Sequence, residues 1–341
     1  MTEIKNILII RMSAIGDVVF ASPLIKALRQ RYPDANISWL VEPAAASLLK
    51  NNSDLDEVII WPKSDWKALW KQRKFITLLG ELGRLRKHLK DKQFDMAIDL
   101  QGLMKSGVWA YLSGAKERVG LGSKEGSARL MTDVVTRHGD DPRIGSEYYH
   151  LALAMGLDAS RFEMDIALSD EDQAYGAELR QSGEYAVICP FTTRPQKHWI
   201  ESRWPELAEQ IMQQTGMPVV MLGGPADVEA AVRIYEANNQ IISLVGKSSL
   251  TQTASAIKHS SLLIGVDTGL THMGIAFNVP SLALFGSTCP YSVTTRENAR
   301  VLYHKMECSP CRRSPSCDGD FTCMKKLTIE EIMQNVGEVM P

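Results

Sequence analysis

The segment Gly265-Val266-Asp267-Thr268-Gly269-Leu270-Thr271-His272 sets an acid, a hydroxyl and a glycine at the end of an apolar run, Ser261 to Val266. A strand that ends this way and turns into a helix leaves the first N–H groups of that helix without intrahelical partners. Those of Thr268 and Gly269 would point outward at the positive end of the helix dipole, which suits an anion such as a diphosphate. Asp267 is expected to cap the helix, and Gly269 allows a ligand close to the backbone. Many ordinary capped helices also begin on these residue types, so the motif alone leaves both readings open. His272 can equally be a hydrogen-bonded core histidine.

A second segment, Phe191-Thr192-Thr193-Arg194-Pro195-Gln196-Lys197-His198-Trp199, follows the apolar run Tyr185 to Cys189. Thr192 and Thr193 offer hydroxyls and Lys197 a cation that can converge on the same phosphates, while His198 carries the same double reading as His272. Two Asp-x-Asp pairs occur, Asp54/Asp56 and Asp318/Asp320, and neither follows an expected strand of the later half. The charge of a departing diphosphate would then be met by Lys197 and helix amides without magnesium. Near the start, Ser13-Ala14-Ile15-Gly16-Asp17 fills the turn after Asn6 to Ile10. Its single glycine makes no G-x-G-x-x-G fingerprint, which argues against a dinucleotide site. Asp17 is placed either as a general base or as a helix cap.

These loops need strands to position them. The runs N-I-L-I-I (6–10), N-I-S-W-L-V (36–41), V-I-I-W (58–61) and F-D-M-A-I-D-L (94–100) read as buried parallel strands. Helical spacing lies between them, over Val18–Arg31, Lys67–Lys90 and Gln101–Ser113, and again from Tyr149 to Leu157. After a polar stretch, Ser169 to Glu184, read as a linker helix, the alternation resumes. Strands are expected at 185–189, 218–222, 241–245, 261–266 and 281–285, and helices at 204–215, 227–238, 250–258 and 329–340. Strand alternating with helix means an α/β fold of two doubly wound parallel sheets. The reading is a first domain over 1–168, a linker over 169–184 and a second domain over 185–325. A terminal helix over 326–341 has the option of packing back on the first domain.

The length, 341 residues, fits two domains, and 45% hydrophobic with 23% charged residues is an ordinary globular composition. The opening residues hold an early acid and only four apolar residues before Arg11, too few for a secretory core, and no run approaches a membrane span. A cytoplasmic chain is expected. The net charge of −2 argues against general nucleic-acid binding. From Lys63 to Lys92, however, ten Lys/Arg meet three acids, a local +7 that leaves about −9 on the rest. That block is either a solvated helix face or the landing place of an anionic partner. Cys189 and Cys289 stand apart and are expected to be buried. Cys308, Cys311, Cys317 and Cys323 are spaced as a structural zinc site or as plain thiols, and the spacing does not choose.

Taken together, I-L-I-I-R-M-S-A-I-G-D, A-I-D-L-Q-G-L-M-K-S-G, T-T-R-P-Q-K-H-W and V-D-T-G-L-T-H resemble glycosyltransferase family 9, the lipopolysaccharide heptosyltransferases. The resemblance runs through nearly the whole chain and is nearest to the heptosyltransferase I pattern. It implies a GT-B architecture, two Rossmann-like domains facing across a cleft. It also implies metal-independent, inverting transfer of L-glycero-D-manno-heptose from ADP-heptose to a Kdo residue of lipid A. Asp17 matches the family's base, and Lys197 its catalytic phosphate contact, with Thr192 and Thr193 beside it. Asp267, Thr268, Gly269 and His272 match the donor loop, Asp227 stands where relatives carry a Glu on the nucleotide ribose, and Ser248 falls near the adenine. The resemblance makes Lys63, Lys67, Lys71, Arg73, Lys74, Gln101 and Lys105 an acceptor surface for the carboxylates and phosphates of Kdo-lipid A. It places a monomer on the inner face of the inner membrane, with Trp66 and Trp70 at the headgroup boundary or in the core. The four-cysteine cluster departs from the heptosyltransferase I pattern and resembles other branches. Transfer to a heptose acceptor, a nucleotide-sugar epimerase on the same fold, a dehydrogenase and a lipid A-binding module are the alternatives.

Overall fold

The structure, a computed structural model, describes residues 3–137, 140–287, 291–311 and 314–340. It divides into two compact units, Met1–His138 with Gly145–Ala167, and Gly139–Ile144 with Leu168–Pro341. The chain therefore passes from one to the other three times. Residues 140–144 belong to the second unit, where the Ile144 N–H donates to the Val293 carbonyl at 2.9 Å.

In the first unit six strands, β1 (Asn6–Ile10), β2 (Asn36–Val41), β3 (Glu57–Ile60), β4 (Met96–Asp99), β5 (Glu117–Leu121) and β6 (Asp133–Val135), form one parallel sheet. Their order is β3-β2-β1-β4-β5-β6. β1 is central, and Ile7 to Ile10 are wholly buried because helices cover both faces of such a sheet. Each of those side chains contributes about 1.5–3 kcal/mol of burial. One core face gathers Leu8, Ile10, Leu40 and Ala97 with the indoles of Trp61, Trp66 and Trp109. Trp66 thus belongs to the core, its ring 5.9 Å from Trp61 and 5.8 Å from Trp109, while Trp70, one turn later, is exposed.

The second unit repeats the scheme with β7 (Ala186–Cys189), β8 (Val219–Met221), β9 (Ile242–Ser243), β10 (Leu262–Val266), β11 (Ser281–Phe285) and β12 (Ala299–Tyr303). All neighbours are parallel, in the order β12-β11-β10-β7-β8-β9. Ile188, Ile264, Leu282 and Leu284 meet Trp199, Trp204, Leu207 and Ile211 in its core. Ile329, Ile332, Met333, Val336 and Val339 of the terminal helix Ile329–Val339 complete that same core. The apolar stripe of this helix is spent on the second unit. The expected linker is the helix Asp170–Gln181, capped by Ser169 and bound to the second unit through Asp172, which accepts from the Thr251 hydroxyl at 2.7 Å. The helix read over 18–31 is two, Ile15–Ala21 and Pro23–Arg31, because Pro23 lacks the N–H needed to continue the first and is suited to begin the second.

Parallel sheets of this kind bind ligands beyond the carboxyl ends of the strands where the winding reverses. In the first sheet that point lies between β1 and β4, and in the second between β7 and β10. The loops at those four ends are 11–17, 100–106, 190–198 and 267–272.

Candidate active site

Arg11 follows β1 directly and is buried, with Nη1 donating to the Leu100 carbonyl at 3.2 Å and Nη2 paired to Asp17 Oδ2. Burial opposes its charge, but Tyr148, Asp17 and Glu147 outweigh that and hold the guanidinium more firmly protonated than usual. Asp17 lies in the first turn of Ile15–Ala21, its side chain 36% exposed, and Oδ2 also accepts the Ala14 N–H at 3.1 Å. The cap and the catalytic readings are therefore compatible. One oxygen holds the turn, and Oδ1 has no hydrogen-bond partner among the described residues.

The loop after β4 is organised by Asp99. Its carboxylate accepts the N–H groups of Gln101 and Gly102, both at 3.0 Å, and the Ser106 hydroxyl at 3.0 Å. Burial raises the pKa of Asp99 and these donors work against the rise. Gly102 has φ +65°, and a Cβ there would run into the Leu121 carbonyl, so glycine is required. Gln101 is buried and its Oε1 accepts the Met12 N–H at 3.2 Å, which ties this loop to the one after β1. Lys105 lies over the Trp61 ring, 5.2 Å from its centre, and its pKa is lowered by burial and by Lys63. Lys63 pairs with Glu42 at 3.2 Å. Lys105 thus lies near both Lys63 and Arg11, the partner of Asp17, and Gln101 holds the neighbouring loop. Lys67 is exposed on the helix Lys63–Lys71, Arg73 and Lys74 are exposed in the turn between it and the helix Phe75–Asp91, and none of the three makes an ion pair among the described residues.

In the second unit Cys189 and Gly265 are register partners at the ends of β7 and β10. A Cβ on Gly265 would meet Thr271 Oγ1 and lie 2.8 Å from Cys189 Cβ. Its absence lets the Thr271 hydroxyl fold back onto the Val266 carbonyl at 2.6 Å. Asp267 does not cap the helix Gly269–Ala276. Thr268 is the N-cap and makes no side-chain capping bond. The Asp267 carboxylate instead pairs with Lys197 Nζ at 2.7 Å and His272 Nε2 at 3.1 Å. Burial favours its neutral form, yet the His272 hydrogen bond and the Lys197 charge hold the carboxyl well below the usual range. The Thr192 hydroxyl donates to the Asp267 carbonyl at 3.3 Å, and His198 Nε2 lies 2.8 Å from the Thr192 carbonyl oxygen. Thr192, Lys197, Asp267, Thr268, Gly269 and His272 are thus brought together, with an uncapped helix terminus in their midst. Thr193 is exposed beside them. Asp227 accepts the Gly224 N–H at 2.8 Å after β8, and the Ser248 hydroxyl lies 2.8 Å from that of Thr253.

Sequence reasoning missed Arg11, Asp99 and Tyr148 as parts of this arrangement. A charged residue at the very end of an apolar strand was the available sign for Arg11. Tyr148, wholly buried on Ser146–Ala154 with a hydroxyl that has no hydrogen-bond partner among the described residues, gave none. Cys189 is buried and its thiol is pushed up by that burial, whereas Cys289 lies outside the described residues. Burial, and after it the neighbouring thiols, raise Cys311 and Cys323. The four cysteines are therefore neighbours, all free, though among the described residues no group of His, Cys, Asp or Glu is arranged to hold a metal ion.

Comparison with known proteins adds three kinds of finding. Residues 82–320 match the family described as glycosyltransferase family 9 (heptosyltransferase). Lipopolysaccharide heptosyltransferase 1 of Pseudomonas aeruginosa is 27% identical, covering 96% of this chain and 89% of that protein. Lipopolysaccharide heptosyltransferase 2 of Escherichia coli K12 is 25% identical over 98% of each. The solved structure of the E. coli heptosyltransferase WaaC with ADP-2-deoxy-2-fluoro heptose shares the fold, with a TM-score of 0.77 and 24% identity over 98% of this chain and 99% of that one.

Proposed function

The chain belongs to glycosyltransferase family 9 and is a heptosyltransferase of lipopolysaccharide core synthesis, and from that premise we propose that it moves L-glycero-D-manno-heptose from ADP-heptose to a Kdo residue of lipid A. The reaction is a single displacement with inversion on a GT-B architecture. Asp17 Oδ1 takes the proton of the acceptor hydroxyl as the new glycosidic bond forms at the anomeric carbon. The bond from that carbon to the diphosphate breaks on the opposite side, and ADP leaves with the electron pair. General-base help of this kind is worth about 10²–10⁴-fold, or roughly 3–5 kcal/mol of barrier.

The observation that carries the reading is the grouping of Lys197, Thr192 and the open terminus of Gly269–Ala276 at the switch point of the second sheet. A cation, a hydroxyl and free N–H groups meet a diphosphate as charge builds on it, with no metal in the proposed step. Thr193 and His272 lie at the same terminus, and Asp227 and Ser248 hold the ribose and adenine side of the nucleotide. In the first unit the neighbouring cations of Lys63, Lys105 and Arg11, the last paired to Asp17, favour an acceptor that carries a carboxylate, as Kdo does. Gln101 fixes the loop beneath it. The acceptor is lipid-borne, so the protein works peripherally on the inner face of the inner membrane, as a monomer.

Transfer to a heptose already on the core is the second reading, favoured by the match to heptosyltransferase 2 over the full length of both chains. Mass spectrometry of Kdo-lipid A and of its heptosylated form, each incubated with ADP-heptose, UDP-sugars and GDP-sugars, separates the two. ADP-heptose-dependent product on Kdo-lipid A is expected. Product on the heptosylated acceptor alone would transfer the protein to the second reading, and isomerised donor without acceptor would end both.

A further inference from the structure

The helix Phe75–Asp91 turns one apolar row, Leu78, Leu82, Leu85 and Leu89, toward the core of the first unit. A row that faces the core leaves the opposite side to polar residues in an ordinary surface helix. Here the first turns break that rule. Ile76 is 89% exposed, Leu79 lies one turn on, and Phe75 meets the 63% exposed Trp70 of the preceding helix with ring centres 5.2 Å apart. These four side chains sit at the tip of one helical hairpin, joined by the turn at Gln72–Lys74. Scattered exposed apolar residues need no explanation, but four large ones at one tip do.

Charge decides what covers them. Protein interfaces are depleted of lysine at their apolar centres. This tip instead carries Lys71 at the end of the first helix and Arg73 and Lys74 in the turn, all exposed, within a stretch of ten Lys/Arg and three acids. Apolar and indole side chains ringed by cations match the boundary of an anionic bilayer, where the rings and aliphatic groups enter the headgroup layer and the ammonium groups meet phosphates. No described helix is long and apolar enough to cross a membrane, so a surface contact is the available mode.

We propose that this hairpin tip is a membrane-docking surface. Trp70, Phe75, Ile76 and Leu79 are its inserting residues, and Lys71, Arg73 and Lys74 select anionic lipid. The inference deepens, and rests on, the reading of a lipid-borne acceptor, but its test uses neither donor nor acceptor.

The full chain is mixed with vesicles of phosphatidylcholine alone or phosphatidylcholine with phosphatidylglycerol. Co-sedimentation and quenching of tryptophan emission by brominated acyl chains are then recorded. Binding to the mixed vesicles only, weakening with salt, is expected, and Trp70→Phe should remove the quenching because the other indoles are buried. Ile76→Glu with Leu79→Glu should lower partitioning at least about tenfold while leaving turnover of a water-soluble, deacylated acceptor unchanged. Lys71→Gln and Lys74→Gln should each cost about fivefold. Far-ultraviolet circular dichroism of the variants checks that they fold. Equal partitioning of wild type and the double Glu variant would overturn the proposal. So would absence of binding to the mixed vesicles, or self-association abolished by the double variant with no lipid binding. Vesicle binding without heptose transfer would instead count against the acceptor reading alone.

Discussion

Each unit of this molecule ends a central strand on a loop that pairs a carboxylate with a cation, yet the two pairs are built differently. In the first unit the cation, Arg11, is buried and the acid, Asp17, reaches solvent with 36% of its side chain exposed and one oxygen unengaged. In the second the acid is the inner partner. Asp267 is 12% exposed and gripped by both Lys197 and His272. A buried cation behind a carboxylate leaves that carboxylate to do chemistry. A buried carboxylate behind a lysine is spent on holding the lysine in place, next to helix N–H groups that nothing caps. The same residue types therefore serve as a base in one loop and as a scaffold in the other.

Changing each acid to its amide is the sharpest way to break this contrast. Asp17→Asn keeps the bulk of the side chain and should lose about 10²–10⁴-fold in kcat, roughly 3–5 kcal/mol, with Tm lowered less than by the change at Asp267, because Glu147 still faces the buried Arg11. Turnover retained in steady-state assays would remove Asp17 from the role. Asp267→Asn should do the reverse. It strands a mostly buried lysine and should cost about 3 kcal/mol of stability in urea titration, and an unchanged midpoint would contradict the scaffold assignment. Lys197→Ala is expected to weaken ADP binding by about tenfold or more in calorimetry, the scale of a hydrogen bond to a charged group.

Acid sharpens the comparison further. The folded state holds Asp267 ionised below the ordinary carboxylate pKa near ~4, so its contribution is complete above that value and is lost as pH falls through and below it. The stability gap between wild type and Asp267→Asn should accordingly be constant at neutral pH and close below pH ~4. A gap that stays open in acid would mean that the carboxylate charge is not what stabilises the loop.

What could be read from residues alone follows from how each part is made. β1, β7 and β10 were legible because buried parallel strands are unbroken apolar runs, and the loops they lead into could then be placed at strand ends. β5, β6 and β12 were not. Edge or near-edge strands such as E-R-V-G-L and A-R-V-L-Y keep one side toward solvent and lose the apolar signature. The residues gathered at the second switch point were named from their motifs, but the contact between Lys197 and Asp267 joins positions 70 apart and no local spacing reports it. Asp267 was therefore expected to cap a helix that in fact begins one residue later. Trp66 and Trp70 show the same limit. Four apart on one helix, they look equivalent, yet the first meets Trp61 and Trp109 while the second has run past the core.

Residues 140–144 depart from the chain's own neighbourhood to join a unit most of which has not yet been synthesised when they leave the ribosome. Their partner, Val293, emerges about 150 residues later. The helix Ser146–Ala154, which closes the first unit, must form around a segment still waiting for its contact. Expressing residues 1–168 alone would leave that segment permanently without it. Cutting this protein into halves at the apparent boundary thus leaves 140–144 on the earlier piece and Val293 on the later one, each without its partner.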